Sequence, residues 1–281
     1  MIFEKLNQNF RKTVVLLRVY YITLFALLNI YGLSKLTAQT EQLKPVYLFP
    51  LNFLTGANHL TVCLIITALA MLFSFAAAMR PKFQIFRIFF SIFFFLFNAL
   101  ANSEGGLTHL WQFWLWSSVV LAFLPTIDFK NNRATKRVEK LIYLNGWWSA
   151  QALVLMFYFL SGFWKLVGFV VQFAAGEPNF LSADGLKYHL ASEIIRAGAD
   201  PLFKRFIFHQ SILSPILALS ALCLQLFCLP CIFIARFRPW AGIGLLFFHI
   251  GTSVFLGISY PTNFFLLGVL FVADAVPGQK N

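Results

Sequence analysis

Residues Trp147 to Val171 read WWSAQALVLMFYFLSGFWKLVGFVV, an apolar run interrupted by a single lysine, Lys165. About 20 apolar residues at a rise of about 1.5 Å each suffice to cross the hydrocarbon core of a bilayer, so this run predicts a transmembrane helix. A lysine at the centre of such a helix costs about 2.5–3.5 kcal/mol on insertion scales, and an ionisable residue inside a span is a functional candidate for that reason. If the helix is centred near Phe159, Lys165 lies about 9 Å from the midplane, near enough to one surface for its four-carbon stem to reach the headgroups. Snorkelling and function are both open on position alone.

The rest of the chain agrees with a membrane assignment. Its 281 residues are 59% hydrophobic and only 11% charged, with a mean hydropathy of +0.76, against about 25% charged residues in soluble proteins. The net charge of +12 does not indicate nucleic-acid binding, because the basic residues sit in short loops between apolar runs rather than on a soluble basic face. The N-terminal MIFEKLNQNFRKT precedes an apolar run with no small-residue cleavage pattern at its end, and reads as leading into a retained first helix. Cys63, Cys223, Cys228 and Cys231 all fall in apolar segments, which argues against a secreted disulfide framework.

Eight apolar runs are expected as helices: Val14 to Leu33, Leu60 to Ala78, Ile85 to Leu100, His109 to Leu124, the run around Phe159, Ile212 to Ile234, Ala241 to Leu256 and Asn263 to Ala273. Trp111, Trp114 and Trp116 open the fourth and suit an interfacial aromatic belt. The last two are short for spans. With the N-terminus inside, Lys5, Arg11 and Lys12, then Arg80, Lys82 and Arg87, then the loop from Lys130 to Lys140, then Arg236 and Arg238 all fall on the cytoplasmic side. The loops on the other side are nearly neutral, as the positive-inside rule requires. The expected fold is an all-α integral membrane protein, a bundle of about eight transmembrane helices forming one domain over 1–281, with both termini cytoplasmic. The polar segment from Gly176 to Gln210 faces outward, and Leu186 to Phe208 is expected to lie amphipathically along the outer interface. The absence of cleavable targeting and of glycosylation-dense loops points to a bacterial inner membrane.

Few residues inside these runs carry chemistry. Withdrawn from water, Lys165 would suit a general base. His249, in LLFFHIGTSVF, falls near the middle of the seventh run and either relays protons or satisfies a neighbouring helix. Tyr188 and His189 belong to the outer segment. Cys228-Leu-Pro-Cys231 is a C-x-x-C pair able to cycle between dithiol and disulfide, or two buried apolar cysteines beside a helix-kinking proline. There is no phosphate-binding loop, no H-E-x-x-H and no cluster with metal-ligand spacing; His109, His189 and His209 are too dispersed.

The segment YFLSGFWKL, Tyr158 to Leu166, resembles the signature Tyr/Phe-x-x-Ala/Ser-Gly-x-x-Lys-Leu of the horizontally transferred transmembrane (HTTM) family, which forms the membrane part of vitamin K-dependent gamma-glutamyl carboxylases. The likeness continues through LSADGLKYHLAS to FFHIGTSVFLGISYPTNFFLLGVLF and covers roughly residues 148–274. It implies that Lys165 is the base that deprotonates a vitamin K hydroquinone or menaquinol, beginning oxygen-dependent chemistry that drives carboxylation. The expected site has Lys165 and His249 in catalytic roles, with Tyr158, Gly162, Trp164 and His189 lining the cofactor, no metal, and a peptide or small substrate arriving at the outer face. A second branch of the family implies another role, a non-catalytic membrane accessory in the maturation, export or immunity of a secreted toxin peptide of the sporulation-delaying type. Expected partners are the lipid bilayer and a peptide or protein substrate; oligomeric state is open.

Overall fold

The computed structural model describes residues 2–32, 59–103, 110–126, 136–197, 202–210 and 212–275. His109, the basic loop over 128–135, the loop over 34–58 and the C-terminal residues 276–281 lie outside the described residues. Every regular element among the described residues is helical. Six helices are long and apolar enough to cross a membrane: Leu6–Gly32, Leu60–Met79, Gln84–Asn102, Arg137–Ala174, Leu213–Phe233 and Ala235–Leu256. The seventh apolar run thus gains length from the residues before Ala241 and reaches 22 residues. Two of the eight runs are shorter helices, Gln112–Ala122 and Pro261–Val272. The chain divides into two compact units, Met1–Gln151 with Val276–Asn281, and Ala152–Ala275.

The first unit contains α1 (Ile2–Leu27), extended by a π-helical turn over Leu28–Gly32, then α2 (His59–Met79), α3 (Gln84–Asn102), α4 (Gln112–Ala122) and the start of α5 (Lys136–Ala174). Pro81 cannot continue α2, and the chain turns there, with the Phe83 amide donating to the Arg80 carbonyl at 3.0 Å before α3 begins. On α2 the buried positions are Cys63, Ile66, Thr67, Ala70, Ser74, Ala77 and Ala78, mostly small residues at helical spacing that let neighbouring helices approach closely. The buried aromatic rings of the unit pack on one another. Tyr20, Tyr21, Phe90, Phe94 and Phe97 are buried, with Tyr21 edge-on to Phe90 at 5.3 Å and Phe90 stacked on Phe94 at 5.1 Å. Such ring pairs contribute about 0.5–1.5 kcal/mol each beyond the area they bury.

Two of the fourth-run tryptophans depart from the interfacial belt expected of them. Trp111 and Trp114 are buried in the protein, and only Trp116 is exposed. Trp111 meets Phe94 and Phe97 edge-on at 5.8 Å, and Trp114 lies 4.9 Å from Tyr20. The Tyr20 hydroxyl donates to the Trp114 carbonyl at 3.0 Å and lies 2.8 Å from the Ser117 hydroxyl. Ring packing inside the unit, rather than headgroup contact, sets their place.

Arg87 is fully buried. Its Nε donates to the Leu121 carbonyl at 3.1 Å, one Nη to the Pro81 carbonyl and the other to the Leu124 carbonyl. The guanidinium therefore joins the α2–α3 turn to the C-terminal end of α4, where helix carbonyls carry partial negative charge; the Leu121 carbonyl also accepts from the Leu124 amide at 3.3 Å. In the second unit Arg238 does the same for α8 (Leu213–Phe233), donating from Nε to the Cys231 carbonyl at 3.3 Å and from Nη2 to the Ile232 carbonyl at 2.8 Å. That unit continues α5 to Ala174 and adds α6 (Gly185–Ala197), α7 (Lys204–His209), α8, a short 3₁₀ turn over Ala235–Phe237, α9 (Arg238–Leu256) and α10 (Pro261–Leu267), which runs on through a π-helical turn at Gly268–Val272. Gly257, at φ 71°, ends α9, its amide donating to the Ser253 carbonyl at 3.1 Å. Glycine reaches this left-handed conformation without steric cost.

Replacing Arg87 with methionine keeps the volume and removes the guanidinium bonds to three buried carbonyls, leaving Leu121 with only the Leu124 amide. The expected loss is about 3 kcal/mol, read as a fall in thermal midpoint of the detergent-solubilised protein. Arg87→Lys is expected to recover little of it, because one ammonium does not reproduce the planar fork.

Candidate functional site

Tyr158, Gly162 and Lys165 recur at spacings of four and three along α5 and therefore share one face. At Gly162 this face meets α8 almost backbone to backbone. A Cβ placed there would lie 2.7 Å from the Gln225 Cβ and 3.3 Å from the Gln225 carbonyl carbon and the Leu226 amide nitrogen. Glycine is what allows the approach, as small residues do between apolar helices.

The close approach brings Gln225 within reach of Lys165. The Lys165 Nζ donates to the Gln225 Oε1 at 2.9 Å and reaches the Ser161 hydroxyl at 3.4 Å. It also lies 5.8 Å from the centre of the Phe180 ring, within the range of a cation–π contact. All three neighbours are neutral, and among the described residues no ion pair involves Lys165. A carboxylate would hold the ammonium as half of a salt bridge, whereas an amide oxygen and a hydroxyl solvate it and leave its proton transferable. Gln225 is almost fully buried, so its oxygen has Lys165 in place of water.

Two turns from Lys165 on the same face, the Tyr158 hydroxyl lies 2.5 Å from the His249 Nε2. Both residues are buried. The imidazole sits in an aromatic box, with the rings of Tyr158, Phe248, Tyr260 and Phe264 centred 5.4–6.0 Å away. Its other nitrogen, Nδ1, is buried and has no hydrogen-bond partner. If Tyr158 donates to Nε2, the ring hydrogen sits on Nδ1 as an unsatisfied donor; in the other tautomer Nδ1 is an unsatisfied acceptor. Either way the imidazole has one polar atom to offer, at a cost of about 1–3 kcal/mol while it stays unmade.

The remaining expected residues fall elsewhere. Trp164 is 67% exposed and packs against Phe163 at 6.0 Å. His189 is on the exposed side of α6, whose buried positions are Leu186 and Leu190. Neither is brought to the Lys165–Gln225 or Tyr158–His249 pair. Cys228 and Cys231 are buried with free thiols, one helical turn apart on α8, and the Cys228 thiol is directed to the Leu224 carbonyl at 3.5 Å. Among the described residues no three His, Cys, Asp or Glu side chains gather as metal ligands. Gln225 is the residue that sequence reasoning passed over. Its signal was a lone amide in the apolar run ALSALCLQLF.

The site is thus a lysine on neutral partners and a tyrosine–histidine pair, on one face of α5 inside an apolar helix set. Comparison of the chain with protein-family models, with curated proteins and with solved structures returns no match.

Gly162→Ala is expected to force α5 and α8 apart, since the Gln225 Cβ and the backbone beside it, not a flexible side-chain end, receive the new methyl. A destabilisation of about 1–3 kcal/mol should appear in thermal unfolding. Tyr158→Phe, which leaves the packing and removes the hydroxyl, should cost less than Gly162→Ala in the same measurement.

Proposed function

We propose that the chain is an HTTM-type membrane enzyme that uses a quinol, vitamin K hydroquinone or menaquinol, with Lys165 as base. The observation that carries this reading is the neutral company of Lys165: the Gln225 amide, the Ser161 hydroxyl and the Phe180 ring. A base must give up and retake its proton within the catalytic cycle, and no carboxylate here binds the ammonium permanently. A quinol fits the donor and acceptor set, because its hydroxyls can give a hydrogen bond to one partner and accept from another. Lys165 Nζ, the Tyr158 hydroxyl and the unpartnered His249 Nδ1 are the groups that would hold it.

When bound, a quinol supplies an ionisable hydroxyl and two electrons for reaction with oxygen. The protein's own part is narrower. Lys165 takes the proton, Gln225 orients the amine, and the Tyr158–His249 pair fixes the imidazole so that Nδ1 keeps one direction. The aromatic rings around His249 exclude water. In this reading the eight apolar helices place both termini in the cytoplasm of a bacterium, and a peptide substrate approaches from the outer side.

The test is quinol oxidation by the purified protein, together with mass spectrometry of the lipophilic molecules that leave with it. Wild type should retain a quinone and consume the quinol. Lys165→Ala should lower turnover about 10²-fold or more, the contribution typical of a positioned base, while keeping its thermal midpoint. No retained quinone and no consumption by wild type would overturn the reading and leave a non-catalytic accessory for a secreted peptide in its place.

A further inference from the structure

In the chain, α6 and α7 fall between two candidate spans, Arg137–Ala174 and Leu213–Phe233. Both helices have an inner apolar face. Leu186, Leu190 and Ile207 are buried together with Leu256 of α9, with Ile194, Leu213, Leu217, Phe255 and Ile258 packed around them. The base of α6 is tied to α8 as well: the Ser214 hydroxyl accepts from the Leu186 amide at 3.0 Å and donates to the Ser182 carbonyl at 3.3 Å. An ordinary amphipathic helix lying on a membrane would turn its one apolar face to lipid. Here that face is already occupied by the protein's own core.

The exposed positions mix large apolar side chains with polar ones, His189, Ser192, Arg205 and His209 among them. Ile195 is 86% exposed, Leu202 79% and Ile212 71%, with Tyr188, Phe206 and Phe208 also exposed. Arg205 is exposed beside Phe206, and Lys204 precedes it. Large apolar side chains gain nothing from water. Aromatic rings mixed with cationic side chains are the composition of the headgroup layer, where rings settle below the phosphates and cations reach up to them.

We propose that α6 and α7 are seated in a phospholipid leaflet, their exposed apolar side chains sunk to headgroup depth and Arg205 directed at lipid phosphate. The segment is then held from two sides, by the Leu190–Ile207–Leu256 cluster and by lipid. This seating does not depend on the quinol reading.

The experiment uses the full chain in vesicles of phosphatidylcholine and phosphatidylglycerol, with Cys223→Ser removing the exposed native thiol. Nitroxide labels are placed singly at Ile195→Cys, Leu202→Cys and Phe206→Cys. The ratio of collisions with dissolved oxygen to collisions with a water-soluble nickel chelate reports depth. Glu177→Cys serves as the aqueous reference and Leu219→Cys, on the exposed side of α8, as the lipid reference. Ratios between the two references at the three positions are expected. Ratios equal to that at Glu177 would overturn the proposal, and so would protection from both reagents, which would mean that a second copy of the chain covers the face. Arg205→Glu is expected to lower the ratio at Phe206→Cys in phosphatidylglycerol; an unchanged ratio would overturn the role given to Arg205.

Discussion

A helix that ends in apolar surroundings leaves carbonyl oxygens with nothing to accept from. The arginine fork answers that constraint in both units. Arg87 collects the carbonyls of Pro81, Leu121 and Leu124, and Arg238 those of Cys231 and Ile232. Guanidinium suits the task because it is planar, always charged and less strongly hydrated than ammonium. The consequence is local rigidity where the chain would otherwise fray. The turn at Pro81 is held to the end of α4, and the end of α8 is held to the start of α9, which also carries His249.

The site depends on a second constraint, the approach of α5 to α8 at Gly162. Lysine and glutamine side chains on two helices at an ordinary separation of about 8–10 Å meet in many geometries. With Gly162 against Gln225 the choice narrows, and Lys165 Nζ finds the amide oxygen at 2.9 Å. Tyr158, one turn away from Gly162 on the other side, meets His249 of α9 from the same face of α5.

Much of the helical architecture was legible because apolar length is a crude signal that survives without tertiary detail. Six of the eight runs appear as helices long enough to span. The fourth could not be judged by the run alone, since Trp111 and Trp114 count as apolar whether they face lipid or protein, and the helix itself begins only at Gln112. Arg87 shows the limit of charge counting: as a basic residue near a loop it reads as a topology signal, yet it is buried and caps a helix. At the site, Lys165, Tyr158 and His249 were visible as residue types out of place in apolar runs, and the structure pairs Tyr158 with His249. Their partners were not visible. Gln225 lies 60 residues from Lys165, and only the helix contact makes them neighbours; Trp164, next to Lys165 in sequence, is exposed, as is His189.

That separation bears on how the protein is made. Lys165 is synthesised and enters the membrane with α5 well before α8 exists, so for an interval its ammonium has no Gln225 oxygen to bind. It can wait with its amine drawn toward the headgroups, as a lysine near one end of a helix does. When α8 inserts, the glycine contact and the amide arrive together and draw the amine inward. The Lys165–Gln225 pair is therefore made late in biogenesis, when the arrival of α8 gives a half-buried lysine the amide oxygen it lacked.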